Sequence, residues 1–309
     1  MAARSWQQGI QTLNSRAQIQ VLADGRRLHM QDGPIDLIVE AFGESAEIQN
    51  AYRAASHRFM TVLDELCEEL TTLRQQWRPD LTVHGPIAQR IVRAVAPHGR
   101  STFITPMAAV AGAVAEEILA SMTRNAQLSK AYVNDGGDIA LYLARGEEFS
   151  VGMVERPDRP SLFGTLRIQS TDAVRGIATS GWRGRSFSLG IADAVTALAR
   201  SAADADAAAT IIANAVDLPG SEKIGRLRAC ELAPDSDLGE RLVTESVAQL
   251  NPEEIHQALD AGASVAAHLR AENLICAAAL RLQEETRIVG AQAESVLEQS
   301  TANRRLVHA

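Results

Sequence analysis

The chain has 309 residues, of which 46% are hydrophobic and 22% charged, and its formal net charge is −8. This length and composition are typical of a soluble globular protein with a substantial core. The negative charge argues against a nucleic-acid surface, which needs clustered Lys and Arg. No apolar run approaches the roughly 18 residues of a membrane span, and residues 1–20 are polar. We therefore expect a cytoplasmic protein without a membrane partner.

The three cysteines, Cys67, Cys230 and Cys276, lie far apart and form no Cys-x-x-Cys pair. A disulfide framework or a cysteine zinc site is therefore not expected. Cys67 falls on the apolar stripe of a predicted helix, and we interpret it as a buried small hydrophobic residue.

The first 80 residues predict three antiparallel strands followed by a long helix. Asp-Gly pairs at 24–25 and 32–33 separate short apolar runs, and Gly supplies the positive φ that a hairpin turn requires. After Ser45, the predicted N-cap, apolar residues recur every three or four positions as far as Trp77. This spacing predicts one face of a helix. The predicted strands are residues 18–23, 26–31 and 35–42.

Two further helices are predicted over residues 86–96 and 106–122, each with Pro near its first turn. The second is mostly Ala, Val, Met and Gly, and Gly112 in its middle indicates close approach of another backbone. Short strands follow, and then an Ala-rich helix over residues 203–216 that a Leu-Pro-Gly sequence ends. The predicted strands are residues 131–133, 139–143, 150–154, 162–169 and 174–179.

This order of elements repeats along the chain: antiparallel strands, helices, strands and a helix. It predicts a duplicated α+β fold with helices on one side of an antiparallel sheet. Beyond Glu240 we expect helix again, with a start signal at Asn251 and one long helix over residues 263–288. The expected domains are an α+β domain over 1–250, built of two structural halves, and a helical C-terminal extension over 251–309.

Gly136-Gly137-Asp138 follows a predicted apolar strand. Two glycines let the backbone turn sharply and let a ligand approach the main chain without a Cβ in the way. Exposed amides in such a turn can hold an anion, and Asp138 can accept from a ring N–H or a ribose hydroxyl. Taken alone, the motif favours the simpler interpretation of a hairpin turn.

Ala178-Thr179-Ser180-Gly181 leaves another predicted strand and enters a loop that carries Arg183, Arg185 and Ser186. Small residues and hydroxyls at a strand end suit hydrogen bonding to a flat ligand or to phosphates. The two arginines can make bidentate phosphate contacts. A solvent-exposed loop with two surface arginines is an equally good interpretation.

Asp206 and Thr210 lie four residues apart on a predicted helix, so they share one face near its N-terminus. A carboxylate and a hydroxyl, joined by a backbone carbonyl and phosphate oxygens, form the hard oxygen set that Mg²⁺ accepts. An Asp in a first helical turn also complements the helix dipole. Taken alone, the pair favours that simpler role.

A second acidic motif, Asp235-Ser236-Asp237, has no third ligand at a metal-binding spacing. Pro234 before it indicates a turn that caps a helix starting at Leu238. We interpret this motif as structural.

Together and in this order, the Gly-Gly-Asp, Ala-Thr-Ser-Gly and Ala-Asp-Ala-x-x-Thr motifs resemble the ApbE-like superfamily of flavin-handling proteins. Its typical member is a Mg²⁺-dependent transferase that takes FMN from FAD and attaches it to a Thr or Ser of another protein. The resemblance covers roughly residues 32–216 and implies a T-fold-like α+β duplication. It also implies FAD or a related flavin as the ligand, with Mg²⁺ held by Asp206 and Thr210.

The chain departs from the family pattern at two places. The family usually has a Gly-Gly-x-x-Lys-Gly-Tyr helix start, where this chain has Ala111 and Ala113 in place of Lys and Tyr. It also has a His-x-x-Asp-Pro-x-x-Gly loop, where residues 186–190 contain no His. Phosphoryl transfer needs a group that positions or deprotonates the incoming hydroxyl. The chain therefore resembles a divergent branch, in which a flavin-related transferase or hydrolase is expected rather than orthodox FMN transfer, and no catalytic residue is assigned.

The leading hypothesis is a protein that binds FAD or a related heterocyclic nucleotide, with Mg²⁺, between its two halves. The expected metal ligands are Asp206, Thr210 and the carbonyl of Val110. The residues expected to contact the ligand are Met107, Gly136, Gly137, Asp138, Ala178, Thr179, Ser180, Gly181, Arg185 and Ser186.

Two other hypotheses stay open. The first is an enzyme that acts on a pterin-like or purine-like small molecule and binds it through Asp138. The second is a non-catalytic scaffold whose C-terminal helices, over residues 251–290, carry the function. A homo-oligomer is expected in each case, because Ala-rich buried helices often dock across subunits.

Overall fold

A computed structural model describes residues 16–154 and 162–290 of the chain. The main sheet has nine strands, and all neighbouring strands are antiparallel. The strands of the chain are β1 (Gln18–Val21), β2 (Leu28–Asp32), β3 (Ile35–Phe42), β4 (Lys130–Asp135), β5 (Asp138–Leu143), β6 (Glu148–Val154), β7 (Leu162–Gln169), β8 (Gly176–Ser180), β9 (Ala194–Ala199), β10 (Ile224–Arg228), β11 (Leu242–Val247), β12 (Ala277–Leu282) and β13 (Glu285–Val289). The order in the main sheet is β1-β2-β3-β4-β5-β8-β9-β12-β13.

Helices pack against this sheet in the order of its strands. The helices are α1 (Ser45–Glu68), α2 (Leu70–Leu73), α3 (Pro86–Gly99), α4 (Val110–Asn125), α5 (Ala202–Ala215), α6 (Ala229–Leu232) and α7 (Pro252–Ala271), with a 3-10 turn at Pro106–Ala109. α4 packs on β4 and β5, α5 on β8 and β9, and α7 on β12 and β13. Within the two described segments, no helix has the length and apolar character that crossing a membrane requires.

Two hairpins lie outside the main sheet. β6 pairs with β7, and β10 pairs with β11. The β6–β7 hairpin forms a second, smaller core with the central strands, in which Leu166 and Ile168 pack with Leu141, Ile177 and Leu198. The central strands are therefore covered on both faces.

The duplication predicted from the sequence is confirmed by the order of the elements. Strands β2 and β3, a set of helices, and strands β4 and β5 form the first half. Strands β8 and β9, a second set of helices, and strands β12 and β13 form the second half in the same order. The halves join where β5 pairs with β8. The fold is thus a duplicated α+β arrangement built on one continuous antiparallel sheet.

The first half follows the sequence closely, with one correction at α1. The two Asp-Gly turns form, and Gly25 and Gly33 have φ values of 73° and 57°. Helix α1 begins at Ser45, but its N-cap is Glu44, which makes no side-chain capping bond. The helix also ends at Glu68, before Trp77. The last residues of the predicted apolar series lie in α2 and in the segment after it.

The second half contains strands where the sequence predicts helix. Helix α7 ends at Ala271, and the rest of the segment 263–288 forms β12 and most of β13. β11 lies where helix was expected beyond Glu240, and no helix starts at Leu238. β9 and β12 are buried along their whole length, so they lack the two-residue alternation that marks a half-exposed strand. The expected helical extension is therefore helical only over α7, and residues 291–309 lie outside the described part.

Gly112 packs as the sequence predicts, whereas Cys67 does not. The backbone approach expected at Gly112 is confirmed, because a Cβ there would lie 2.3 Å from the carbonyl oxygen of Ala202. The expected burial of Cys67 was wrong, because its side chain is exposed on α1. The buried stripe of this helix runs instead through Val62 and Leu66.

Candidate functional site

A cavity of about 860 Å³ lies between the two halves, beside the junction of β5 and β8. Its walls are the 3-10 turn with the start of α4, the β4–β5 turn, the loop after β8, one face of α5, and the loop 233–238. The first two walls belong to the first half and the others to the second. The volume falls within the roughly 300–1,000 Å³ that is usual for small-molecule pockets.

The sequence motifs meet at this cavity although they are far apart along the chain. All of the residues expected to contact ligand or metal line it except Ala178. Ala178 is fully buried in the main core instead. Its neighbour Thr179 lines the cavity, because successive side chains of a strand point to opposite faces.

The β4–β5 turn forms the floor of the cavity. Gly136 and Gly137 have φ values of 64° and 119°, which only glycine adopts readily. The Gly137 N–H donates to the side-chain oxygen of Asn134 at 2.8 Å. A Cβ on Gly136 would lie 2.2 Å from Nη2 of Arg185, so this glycine also makes room for the guanidinium group.

The strand ends beside this turn are held by hydrogen bonds. The Asp138 carboxylate accepts from the Thr179 N–H at 3.2 Å. The Thr179 hydroxyl lies 3.0 Å from the hydroxyl of Thr196 on β9. The Asp138–Thr179 bond ties the first half to the second and fixes Asp138 beside the Ala-Thr-Ser-Gly loop, while the Thr179–Thr196 contact lies within the second half.

Helix α5 and the start of α4 form the opposite wall. Asp206 and Thr210 lie one turn apart on α5, and both face the cavity. The Asp206 carboxylate accepts from the Gly112 N–H at 3.0 Å. Val110 and Met107 line the cavity from the α4 side. The residues that the sequence analysis expected to hold a metal therefore come from two helices.

Three of the aspartates that line the cavity, Asp135, Asp138 and Asp206, have raised pKa values. Burial raises the pKa of Asp135 to about 7. Burial also raises the pKa of Asp206 to about 7, and the charge of Asp135 adds to this effect. The pKa of Asp138 is raised well above its usual range by burial and by the charges of Asp206 and Asp135. The Arg185 charge opposes the pKa shifts of Asp135 and Asp138, but burial has the larger effect, so these carboxyl groups hold a proton more readily than ordinary aspartates do.

The oxygen donors on α4 and α5 are suited to some metal ions and not to others. Among the described residues, no group of three or more His, Cys, Asp or Glu side chains is arranged to hold a metal. Mg²⁺ is commonly bound by one or two carboxylates together with ligand phosphates and water. The Asp206 carboxylate, the Thr210 hydroxyl and a backbone carbonyl therefore fit Mg²⁺ if a ligand supplies further oxygens.

Several cavity residues were missed by the sequence analysis. Asp135 is 5% exposed and is the direct antiparallel partner of Asp138. Thr196 and Asn214 also line the cavity, from β9 and α5. Asp135 stands directly before the Gly-Gly-Asp motif, so its position next to the turn was a usable signal. Thr196 lies on a strand that the sequence did not predict.

The acidic loop 235–237 also lies at the cavity, although the sequence analysis interpreted it as structural. Asp235 pairs with Arg74 at 3.0 Å, and Asp237 accepts a hydrogen bond from Thr105. Both contacts cross from the β10–β11 hairpin to the first half. The loop therefore makes structural contacts, but the helix cap expected of it was wrong, because no helix starts at Leu238. The loop also forms part of the cavity rim.

The departures from the family pattern also fall at the cavity. Ala111 lines it, as do Ser186 and Phe187 in the loop where the family carries His. In the part of the chain that the structure describes, no histidine lines this cavity. The cavity therefore presents carboxyl, hydroxyl, guanidinium and backbone groups.

A duplicated antiparallel sheet with these three motifs around one cavity defines an ApbE-like protein. The chain belongs to the family described as AbpE bacteria, whose model matches residues 19–288. This match covers both halves of the sheet.

Curated relatives include UPF0280 proteins of methanogenic archaea. The chain is 37% identical over 160 residues to the one from Methanopyrus kandleri, covering 51% of this chain and 61% of the relative. It is 36% identical over 155 residues to the one from Methanothermobacter thermautotrophicus, covering 49% and 56%. The chain thus spans less than two thirds of the length of these relatives.

Solved structures with similarity to this chain include two flavin transferases. A mutant of the flavin transferase ApbE from Vibrio cholerae matches with a TM-score of 0.47 and 10% identity, covering 90% of this chain and 98% of that one. The apo form of the flavinyl transferase ApbE from Pseudomonas stutzeri matches with a TM-score of 0.41 and 10% identity, covering 91% and 96%.

Proposed function

We propose that this protein binds FAD, or a related flavin or heterocyclic nucleotide, together with Mg²⁺ in the cavity between its halves. The observation that supports this most directly is the meeting of three distant motifs at one cavity of about 860 Å³. Membership of the AbpE bacteria family supports the same assignment. The class of reaction that we propose is a flavin-related transfer or hydrolysis.

The cavity residues divide into three groups by their chemistry. Asp206, Thr210 and the carbonyl of Val110 would hold Mg²⁺, whose charge would offset that of the ligand phosphates. The residues that would contact ring and phosphates are Met107, Gly136, Gly137, Asp138, Thr179, Ser180, Gly181, Arg185 and Ser186. Ala178, buried behind the cavity wall, would only support this surface.

No residue is assigned as the group that positions or deprotonates an acceptor hydroxyl. Orthodox FMN transfer would require such a group, and the family's loop histidine is absent from residues 186–190. In the proposed reaction the acceptor would be water or a hydroxyl of a partner.

A second candidate function is favoured by the pair Asp135 and Asp138. These two residues are direct partners in the β4–β5 register and both line the cavity. Their carboxyl groups accept hydrogen bonds only when they are ionised. A ring edge with neighbouring N–H donors, as in a pterin or a purine, would satisfy both groups. Binding of a free pterin without Mg²⁺, and no response to FAD, would favour this candidate.

Calorimetric titration of the protein with FAD, with Mg²⁺ and then with chelator, tests the leading proposal. We expect binding that weakens strongly on chelation and in Asp206→Asn. Asp204→Asn is the matched control, because Asp204 lies on the same helix but bonds to Ser201 rather than lining the cavity. Absence of heat at high micromolar FAD in both conditions would eliminate the flavin assignment and leave the pterin-like and scaffold hypotheses.

The raised pKa values predict how the stability of the metal-free protein depends on pH. Asp135 and Asp206 have folded-state pKa values of about 7, above the usual value of 3.8. The folded state therefore holds protons that the unfolded chain has released, so these groups stabilise most below pH 4 and lose that contribution as pH rises to about 7. Urea unfolding across this range should show the decline, and Asp206→Asn should reduce it.

Mg²⁺ should act in the opposite direction, because it competes with these protons. We expect Mg²⁺ with FAD to raise the melting temperature more at pH 8 than at pH 5. Equal stabilisation at both pH values would contradict a metal bound by the Asp206 carboxylate.

A further inference from the structure

Helices α4 and α5 meet at their N-terminal ends, and each end receives a carboxylate from the other helix. Asp206 on α5 accepts from the Gly112 N–H at 3.0 Å. Glu116 on α4 accepts from the Ala203 N–H at 2.7 Å. Both N–H groups belong to first turns, where they have no partner within their own helix. The two helices are therefore capped reciprocally.

The reciprocal caps depend on very close approach of the two backbones. A Cβ on Gly112 would lie 2.3 Å from the carbonyl oxygen of Ala202. Ala109, which precedes α4, makes no side-chain capping bond. The acceptor for the first turn of α4 therefore comes from Asp206, across the contact.

The cap on α5 is shared between two residues. Ser201 accepts from the Asp204 N–H at 3.2 Å, and Glu116 takes the Ala203 N–H. Arg90 on α3 pairs with Glu116 at 3.0 Å. The Glu116 carboxylate is thus held between α3 and α5.

We propose that Glu116 is a positioning residue for the divalent-cation site. Asp206 and Thr210 belong to α5, whereas Val110 belongs to α4, so the contact between these helices sets the separation of the three oxygen donors. The Glu116–Ala203 hydrogen bond is a second hydrogen bond across that contact, in addition to the Asp206–Gly112 bond. This inference rests on the metal role proposed above for Asp206.

Glu116→Ala in the full chain tests the proposal with two measurements. The first is the affinity for Mg²⁺ in the presence of FAD, followed by calorimetry, for which we expect a loss of about tenfold, as for other residues that orient metal ligands. The second is the amide resonance of Gly112 in the ligand-free protein, recorded by NMR. It should move, because the Asp206 acceptor shifts with α5.

Two control variants separate positioning from general stability. Glu116→Gln keeps an acceptor for the Ala203 N–H and should restore most of the Mg²⁺ affinity. Glu117→Ala removes the adjacent carboxylate, which pairs with Arg58 at 2.8 Å and Arg90 at 3.1 Å. It should lower the melting temperature without moving the Gly112 resonance or the Mg²⁺ affinity.

The outcomes distinguish this inference from the proposed function. Intact Mg²⁺ affinity and an unmoved Gly112 resonance in Glu116→Ala would overturn the positioning role alone. The same losses in Glu117→Ala would overturn it too, because they would show a general loss of stability. If FAD binding to the unmodified protein did not depend on Mg²⁺, the metal role of Asp206 would be wrong. The positioning role of Glu116 would then be wrong as well.

Discussion

The two halves of the sheet share one order of elements, but their cores are packed by different means. In the first half, large side chains such as Phe59, Leu37 and Met30 fill the space between α1 and the strands. In the second half, α5 is mostly Ala, and backbone packs directly on backbone. A Cβ on Gly176, for example, would lie 2.0 Å from the carbonyl oxygen of Ser201. One topology can thus be stabilised by large side chains or by small ones, and the cavity lies where the two kinds of packing meet.

The largest effect should come from removing a large side chain in the first half. Phe59 is fully buried on α1, so Phe59→Ala should lower the free energy of unfolding by about 3–5 kcal/mol through lost burial and the cavity left behind. Urea unfolding measures this. Phe187→Ala is the control, because Phe187 is 38% exposed and its removal should cost much less. Equal losses for both would contradict the first-half packing.

The second half should instead be destabilised by larger side chains at its buried positions. Ala208 is fully buried on α5, and Ala208→Leu should cost about 1–3 kcal/mol because added methylenes must displace their neighbours. Ala261→Leu on α7 is the matched control, because Ala261 is exposed and should stay within about 0.5 kcal/mol of the unmodified protein. If Ala208→Leu were neutral, the close packing of this half would be refuted.

The same contrast explains how much of the fold could be predicted. β2, β3 and α1 were predictable because their apolar residues recur at strand or helix spacing, and Asp-Gly turns precede β2 and separate it from β3. β9 and β12 were not, because all of their residues are buried. A short apolar run without alternation fits a buried helix as well as a buried strand, and only pairing with neighbouring strands decides between them.

The residues of the candidate site were predictable where they form a short sequence motif. They were missed where separate parts of the chain come together only in the fold. The adjacent glycines Gly136 and Gly137 predict a turn. The four-residue spacing of Asp206 and Thr210 predicts that both side chains lie on one face of a helix. Glu116 was missed because its role depends on contact with α5, which sequence spacing cannot reveal. A charged residue within an otherwise apolar helix was nevertheless a usable signal, since a buried carboxylate requires a hydrogen-bonding partner.

The smallest expected effect compares the first turns of the long helices in the two halves. α7 begins with a complete capping box, in which the Asn251 side chain accepts from the Glu254 N–H and Glu254 accepts from the Asn251 N–H. Asn251→Ala should cost about 1 kcal/mol. Ser45→Ala should be nearly neutral, because the N-cap of α1 is Glu44 and makes no side-chain capping bond. Thermal unfolding of the two variants measures the difference, and a larger loss for Ser45→Ala would show that the sequence-based assignment of this cap was right after all.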